Sequence, residues 1–177
     1  MGRFEHRVAL VTGAGSESGI GFATARLLAR EGGRVAVSST TARIADRAAE
    51  LAPAEAAGFV ADLTDGEQAR AMVAAVLERL GRIDVLVNNA GMIQTGVEDV
   101  GGRFVGLDAA AFERDLALNL MTAFHVTKAV LPGMLERRYG RIVMVSSVTG
   151  SLTTSPEGAG YASAKAGMDG LMRTIAI

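Results

Sequence analysis

The chain has 177 residues, 49% of them apolar, with 18 Lys and Arg against 19 Asp and Glu. A length of this order is one domain with a real core, and the near balance of charge offers no basic face to nucleic acid or to an anionic membrane surface. There is no cysteine, which excludes disulfides and thiolate chemistry. No apolar run is long enough to span a bilayer, and Met1-Gly2-Arg3-Phe4-Glu5-His6-Arg7 lacks the apolar region of a signal peptide. The expected protein is cytoplasmic, with no nucleic-acid and no membrane partner.

The first element is a strand over 7–12, where Val8-Ala9-Leu10-Val11 is a continuous apolar run. Thr12-Gly13 ends it, and a glycine-rich loop closes with Gly19-Ile20-Gly21. The spacing of Phe22, Ala25, Leu27, Leu28 and Ala29 then predicts a helix over 19–32, stopped by Gly32-Gly33. A strand at 34–38 and a helix at 42–52 follow, then a strand at 57–61. Asp65 is a good N-cap for a helix over 65–80, with Gln68 at the capping-box position and Gly81 as its stop. Val85-Leu86-Val87 marks a strand at 84–88. A long helical pattern covers 108–135, which Pro132 should kink or end. Ile142-Val143-Met144-Val145 belongs to a strand at 140–146, and a last helix runs over 160–176. The irregular stretches are 91–107 and 147–159.

Short continuous apolar strands alternating with helices predict a parallel sheet covered on both faces and built from right-handed crossovers. The fold class is therefore α/β, doubly wound. Both irregular stretches follow strand C-termini, where ligands bind in such sheets. The strand, glycine turn and helix at the start make a dinucleotide site: small residues let the backbone approach a pyrophosphate, and the helix start offers free N–H groups and a positive dipole end.

Tyr161 and Lys165 lie four apart and share a helix face. An ammonium beside a phenol stabilises the phenolate, which makes the pair an acid/base for interconverting an alcohol and a ketone. Ser146-Ser147 lies just upstream, and Asn88-Asn89-Ala90-Gly91 follows the fourth strand. His6 and His125 have no carboxylate or cysteine at metal spacing, so no metal site is expected.

With these pieces in this order, the chain resembles the short-chain dehydrogenases/reductases, and within them the 3-oxoacyl-acyl-carrier-protein reductases and related ketoreductases. The resemblance runs from Glu5 to Ile177 and implies a Rossmann fold. It also implies roles. Tyr161 would be the general acid in reduction, and Lys165 would assist it and hold the nicotinamide ribose. Ser147 would hold the substrate carbonyl oxygen, with Ser146 the alternative. Asn119 would position a water that relays protons to Lys165. Gly13, Ser16, Ser18, Gly19, Ile20 and Gly21 would wrap the cofactor phosphates. Asp62, with Leu63 beside it, would accept from the adenine amino group. Asn88, Ala90 and Gly91, with Asn89 among them, would line the adenosine side.

Three departures from the family stand out. Ala14-Gly15-Ser16-Glu17-Ser18 makes the glycine loop longer than usual, so that Gly15 is an alternative first motif glycine. The Ser147–Tyr161 separation is slightly long. The sequence stops at Ile177 inside the helix that carries Tyr161, whereas members usually continue through another crossover, two strands and a mobile substrate loop; a single Rossmann domain over 1–177, lacking its C-terminal strands, is the expectation. At the end of the second strand no acid appears before Asp46, while Ser39, Thr40 and Arg43 offer hydroxyls and a positive charge, which favours NADP(H); Glu17 favours NAD(H). The expected protein is an NADP(H)-preferring oxidoreductase that reduces a ketone or 3-oxoacyl thioester. The alternatives are an NAD-dependent alcohol or sugar dehydrogenase and a catalytically silent nucleotide-binding fragment. The apolar faces of helices 108–135 and 160–176 predict a homo-oligomer, a dimer or tetramer.

Overall fold

The structure is a computed structural model that describes residues 2–91 and 103–176. Its centre is β1 (Val8–Val11), which pairs in parallel with β2 (Arg34–Ser39) on one side and β4 (Val85–Asn88) on the other. Leu10 lies opposite Ala36 and Leu86. β3 (Ala56–Val60) adds outside β2 and β5 (Arg141–Met144) outside β4, giving the all-parallel order β3-β2-β1-β4-β5. Every residue of β1 and β4 is buried, while the edge strands β3 and β5 are only partly covered. The chain winds away from β1 through β2 and β3, then crosses back to β4. That reversal opens a crevice at the carboxyl ends of β1 and β4.

Alternate strand residues feed two cores, as the two-residue period requires. Ala9, Val11, Val35, Val37, Val85 and Val87 meet α1 (Ile20–Arg30) and α2 (Ile44–Ala49) through Phe22, Ala25, Leu28 and Ile44. Val8, Leu10, Ala36 and Leu86 meet α3 (Gly66–Leu80) and α5 (Thr122–Glu136) through Met72, Val73, Val76, Val126 and Val130. The Asp65 side chain caps α3 by accepting from the N–H groups of Glu67 and Gln68, and Gly81 ends it at φ +79°. Gln68 does not close the usual box: its carbonyl accepts from Asp62 N–H, 3.1 Å away, and its amide donates to Asp65.

The expected strands and helices all form, with two changes of substance. The 108–135 pattern is not one α-helix. α4 (Ala109–Leu116) passes through a π-helical segment, Ala117–Met121, into α5. Nor does Pro132 end the helix, which continues to Glu136; the carbonyl that Pro132 cannot serve belongs to Lys128, an exposed residue that water reaches. The stretch 147–159 contains one irregular turn, α6 (Val148–Ser151), before α7 (Ala159–Ile175) begins. Residues 92–102 of the other irregular stretch lie outside the described residues.

Candidate active site

The glycine loop is shaped by close approaches. Gly13 has φ +67°, and a Cβ there would lie 2.7 Å from Ala90 Cα. A Cβ on Gly21 would lie 2.8 Å from the Gly13 carbonyl oxygen, and one on Gly15 would lie 2.8 Å from Ser39 Cβ. Glycine at these three positions lets the loop lie flat between the 88–91 turn and the end of β2. Gly15 therefore faces β2 while Gly13 makes the turn out of β1. Gly19 N–H donates to Ser16 O, and Gly19 opens α1 without any side-chain cap. The first N–H groups of α1 are left for a ligand, which is how helix starts hold phosphates. Ile20 stands beside them 65% exposed.

Thr12 joins this loop to the 88–91 turn. Its Oγ1 accepts from Asn89 N–H (3.0 Å) and Ala90 N–H (3.1 Å), and donates to Val87 O. The Asn89 amide donates to the carbonyls of Thr12 and Gly13, both at 3.0 Å. Asn88 is buried, and its amide donates to Thr127 Oγ1, so its side chain ties β4 to α5 instead of facing the crevice. Gly91, at φ +145°, packs beside Asn119, whose Oδ1 is 3.1 Å from where a Gly91 Cβ would be.

Asn119 sits in the π-helical segment and is 1% exposed. Its amide donates to Asp115 O at 3.1 Å, and its buried Oδ1 has no partner among the described residues. A buried orphan acceptor costs free energy unless a water or ligand meets it. The π-turn widens the helix locally, as such turns often do at functional sites.

Tyr161 and Lys165 lie on the first turns of α7, and Lys165 Nζ is 5.5 Å from the Tyr161 ring centroid. Lys165 is 5% exposed and donates to Val145 O at 3.0 Å. Burial holds its ammonium below the ordinary lysine range, opposed by the nearby Asp169 carboxylate. Ser147 Oγ accepts from Thr149 N–H as the cap of α6, which leaves its proton available to a substrate oxygen. Ser146 differs: its hydroxyl lies 3.2 Å from Lys165 O.

At the end of β2, Ser39 Oγ donates to Thr41 O at 3.0 Å, and Thr40 and Arg43 follow on the same loop. Arg43 is exposed and forms no ion pair among the described residues; its Nε lies 3.4 Å from Thr41 Oγ1. Glu17 of the glycine loop pairs with Arg47 of α2 at 3.6 Å. Asp62 Oδ1 is taken by Thr64 N–H and Thr64 Oγ1, so only its other oxygen is open to a ligand. Leu63 is buried, and its carbonyl meets His125 Nδ1 at 3.1 Å. An open crevice of about 760 Å³ lies at the opposite end of the sheet, before β2 and β3, where Arg26 pairs with Glu50 and Arg34 with Glu55. Those ion pairs satisfy one another and supply no acid/base pair for redox chemistry.

A parallel sheet that reverses at β1, with an uncapped helix start at the reversal, places this chain among the α/β proteins built to hold a dinucleotide. Residues 7–177 match the short chain dehydrogenase family, and the chain belongs to it. It is 39% identical to the oxidoreductase UcpA of Salmonella typhimurium, over all of this chain and 65% of UcpA. It is 37% identical to the 3-oxoacyl-(acyl-carrier-protein) reductase FabG of Thermotoga maritima, over 98% of this chain and 68% of that one. The structure of NAD+-bound xylitol dehydrogenase superposes with a TM-score of 0.88 at 34% identity, over 98% of this chain and 65% of the other. The chain thus spans somewhat less than two thirds of UcpA.

Proposed function

We propose that this chain carries the cofactor site and reacting groups of an oxidoreductase that reduces a ketone or 3-oxoacyl thioester to a secondary alcohol, with NADPH preferred. One observation carries the reading: a buried lysine beneath the Tyr161 ring, on a helix against which the turn beginning with Ser147 packs, that serine's hydroxyl accepting from Thr149 N–H and having no acceptor of its own among the described residues. The uncapped start of α1, Gly13 and Gly21 fit the pyrophosphate; Ser16, Ser18 and Ile20 flank it. The Asp62 oxygen that remains open fits the adenine amino group, and Ala90 and Gly91 fit the adenosine. When bound, the reduced nicotinamide supplies a hydride to the carbonyl carbon. Ser147 donates a hydrogen bond to the carbonyl oxygen, and Tyr161 transfers its proton to that oxygen as the alkoxide forms. Lys165 steadies the resulting phenolate, and a water held by Asn119 Oδ1 links Lys165 to solvent for reprotonation.

NADPH is favoured by Arg43, exposed at the end of β2 and without an ion-pair partner among the described residues. A second reading, an NAD-dependent alcohol or sugar dehydrogenase, is favoured by Glu17 on the glycine loop and by the likeness to NAD+-bound xylitol dehydrogenase. No helix among the described residues is long and apolar enough to cross a membrane, which fits the cytoplasmic location proposed here. A homo-oligomer formed through α4, α5 and α7 completes the reading; Phe124 and Met172 are exposed on those helices.

The test is steady-state reduction of a 3-oxoacyl thioester, followed by cofactor absorbance with NADPH and NADH in parallel. Tyr161→Phe removes the phenolic hydroxyl and keeps the ring, and should lower kcat by about 10²–10⁴, the usual worth of a general acid, while NADPH titration by fluorescence is unchanged. Retention of most activity in Tyr161→Phe would sink the assignment.

A further inference from the structure

Asp169 lies one helical turn beyond Lys165 and two beyond Tyr161, on the same face of α7. Its carboxylate accepts from Ser151 Oγ, at the end of α6, and lies near Ser146, whose hydroxyl proton goes to Lys165 O. These two serines bracket the segment that begins with Ser147. Gly150 lies between them at φ +97°, and a Cβ there would overlap the Ala162 carbonyl of α7. The 146–151 turn therefore rests backbone to backbone on the helix that carries Tyr161. The hydrogen bond from Ser151, with the Ser146 hydroxyl nearby, holds the Asp169 carboxyl below the usual carboxylate range.

We propose that Asp169 is a positioning residue: its carboxylate clamps the 146–151 turn onto α7, fixing Ser147 relative to Tyr161 and Lys165, and keeps a countercharge one turn from the buried ammonium. The proposal rests on the reading of Ser147, Tyr161 and Lys165 as the reacting groups. The surrounding charges are few. Arg173, one turn further along α7, favours the Asp169 anion. Asp115 of α4 packs against Gly160 at the start of α7. The turn 146–151 and the π-helical segment hold no titratable residue, and Arg141 of β5 is at the far end of its strand. Among the described residues, Asp169 is thus the carboxylate that opposes the effect of burial on Lys165.

The experiment measures kcat and KM across pH for wild type, Asp169→Asn, Asp169→Glu and Ser151→Ala. Alongside, Lys165 is titrated by NMR of ε-carbon-labelled lysine, its resonance assigned by loss in Lys165→Arg. Asp169→Asn should lower kcat about tenfold or more, as loss of positioning does, while KM for NADPH stays within about twofold. It should also move the Lys165 titration to lower pH, because the opposing carboxylate is gone. Asp169→Glu should restore part of both. Ser151→Ala should lower kcat and leave the Lys165 titration in place. An Asp169→Asn enzyme with wild-type kcat and an unmoved Lys165 titration overturns the clamp. If Asp169→Asn does not fold, wild-type kcat in Ser151→Ala overturns it instead. A wild-type protein that reduces no carbonyl, yet shows the expected Lys165 shift in Asp169→Asn, refutes the functional reading and not the clamp.

Discussion

Thr12→Val is the sharpest structural test of how the cofactor site is held. The change keeps the shape of the side chain and removes one oxygen. That oxygen, on a residue 1% exposed, accepts from two backbone N–H groups 77 and 78 residues away and donates to Val87 O. A buried donor left without a partner costs about 1–3 kcal/mol. Asn89 and Ala90 are only half-buried, which puts the sum for two donors in the lower part of the range, about 2–4 kcal/mol. For a domain of this length that is a fall in Tm of roughly 5–15 °C. Thr12→Ser keeps all three hydrogen bonds and loses a methyl, so it should cost about 0.5–1.5 kcal/mol, as removal of a buried methyl does. The assay is paired: thermal unfolding of both variants, and titration with NADPH. Thr12→Val should also weaken the cofactor, because the Asn89 clamp on the glycine loop is freed, whereas Thr12→Ser should not. Equal Tm values for the two variants would refute the reasoning, since the hydroxyl would then hold nothing.

Three further outcomes are expected. Arg43→Ala should weaken NADPH more than NADH, because a guanidinium at the end of β2 with no ion-pair partner among the described residues is the available contact for a 2′-phosphate; equal changes in both dissociation constants would remove Arg43 from that role. The Asp65 carboxyl is held below its ordinary range, first by the Glu67 N–H and then by Gln68. Its folded pKa is lowered, so the stability it gives α3 is present above about pH 4, the ordinary aspartate value, and is lost as pH falls through the folded pKa. The Tm gap between wild type and Asp65→Ala should therefore shrink on acidification, and a gap constant from neutral pH to pH 2 would contradict the capping account. Light scattering at micromolar concentration should give a dimer or tetramer mass, and a monomer mass would refute the association through α4, α5 and α7.

The order of elements was legible in the sequence because its causes are local. Val8-Ala9-Leu10-Val11 and Val85-Leu86-Val87 are continuous apolar runs that only a strand covered on both faces needs. Gly81 and Asp65 mark helix ends through their own backbone and side-chain chemistry. The spacing of Tyr161 and Lys165 put them on one helix face without any knowledge of the fold. What the sequence did not disclose depends on partners far along the chain. Thr12 is an ordinary strand-end threonine until β4 brings Asn89 beside it. The family resemblance singled out Asn119, but periodicity shows it only as a polar residue in a helix; the π-turn, and an Oδ1 without a partner among the described residues, exist only once Gly91 and α4 pack around it. Nothing local to Arg137 marks a partner, yet its guanidinium donates to Ile83 O at the foot of β4. Ser146 and Ser147 are chemically identical, and only the docking of the 146–151 turn on α7 commits one hydroxyl to the helix and leaves the other's proton free. Local periodicity fixes which residues form a strand or a helix, because it follows from backbone geometry. Which hydroxyl or amide is spent on structure follows from contacts between segments dozens of residues apart, and no period in the sequence encodes those.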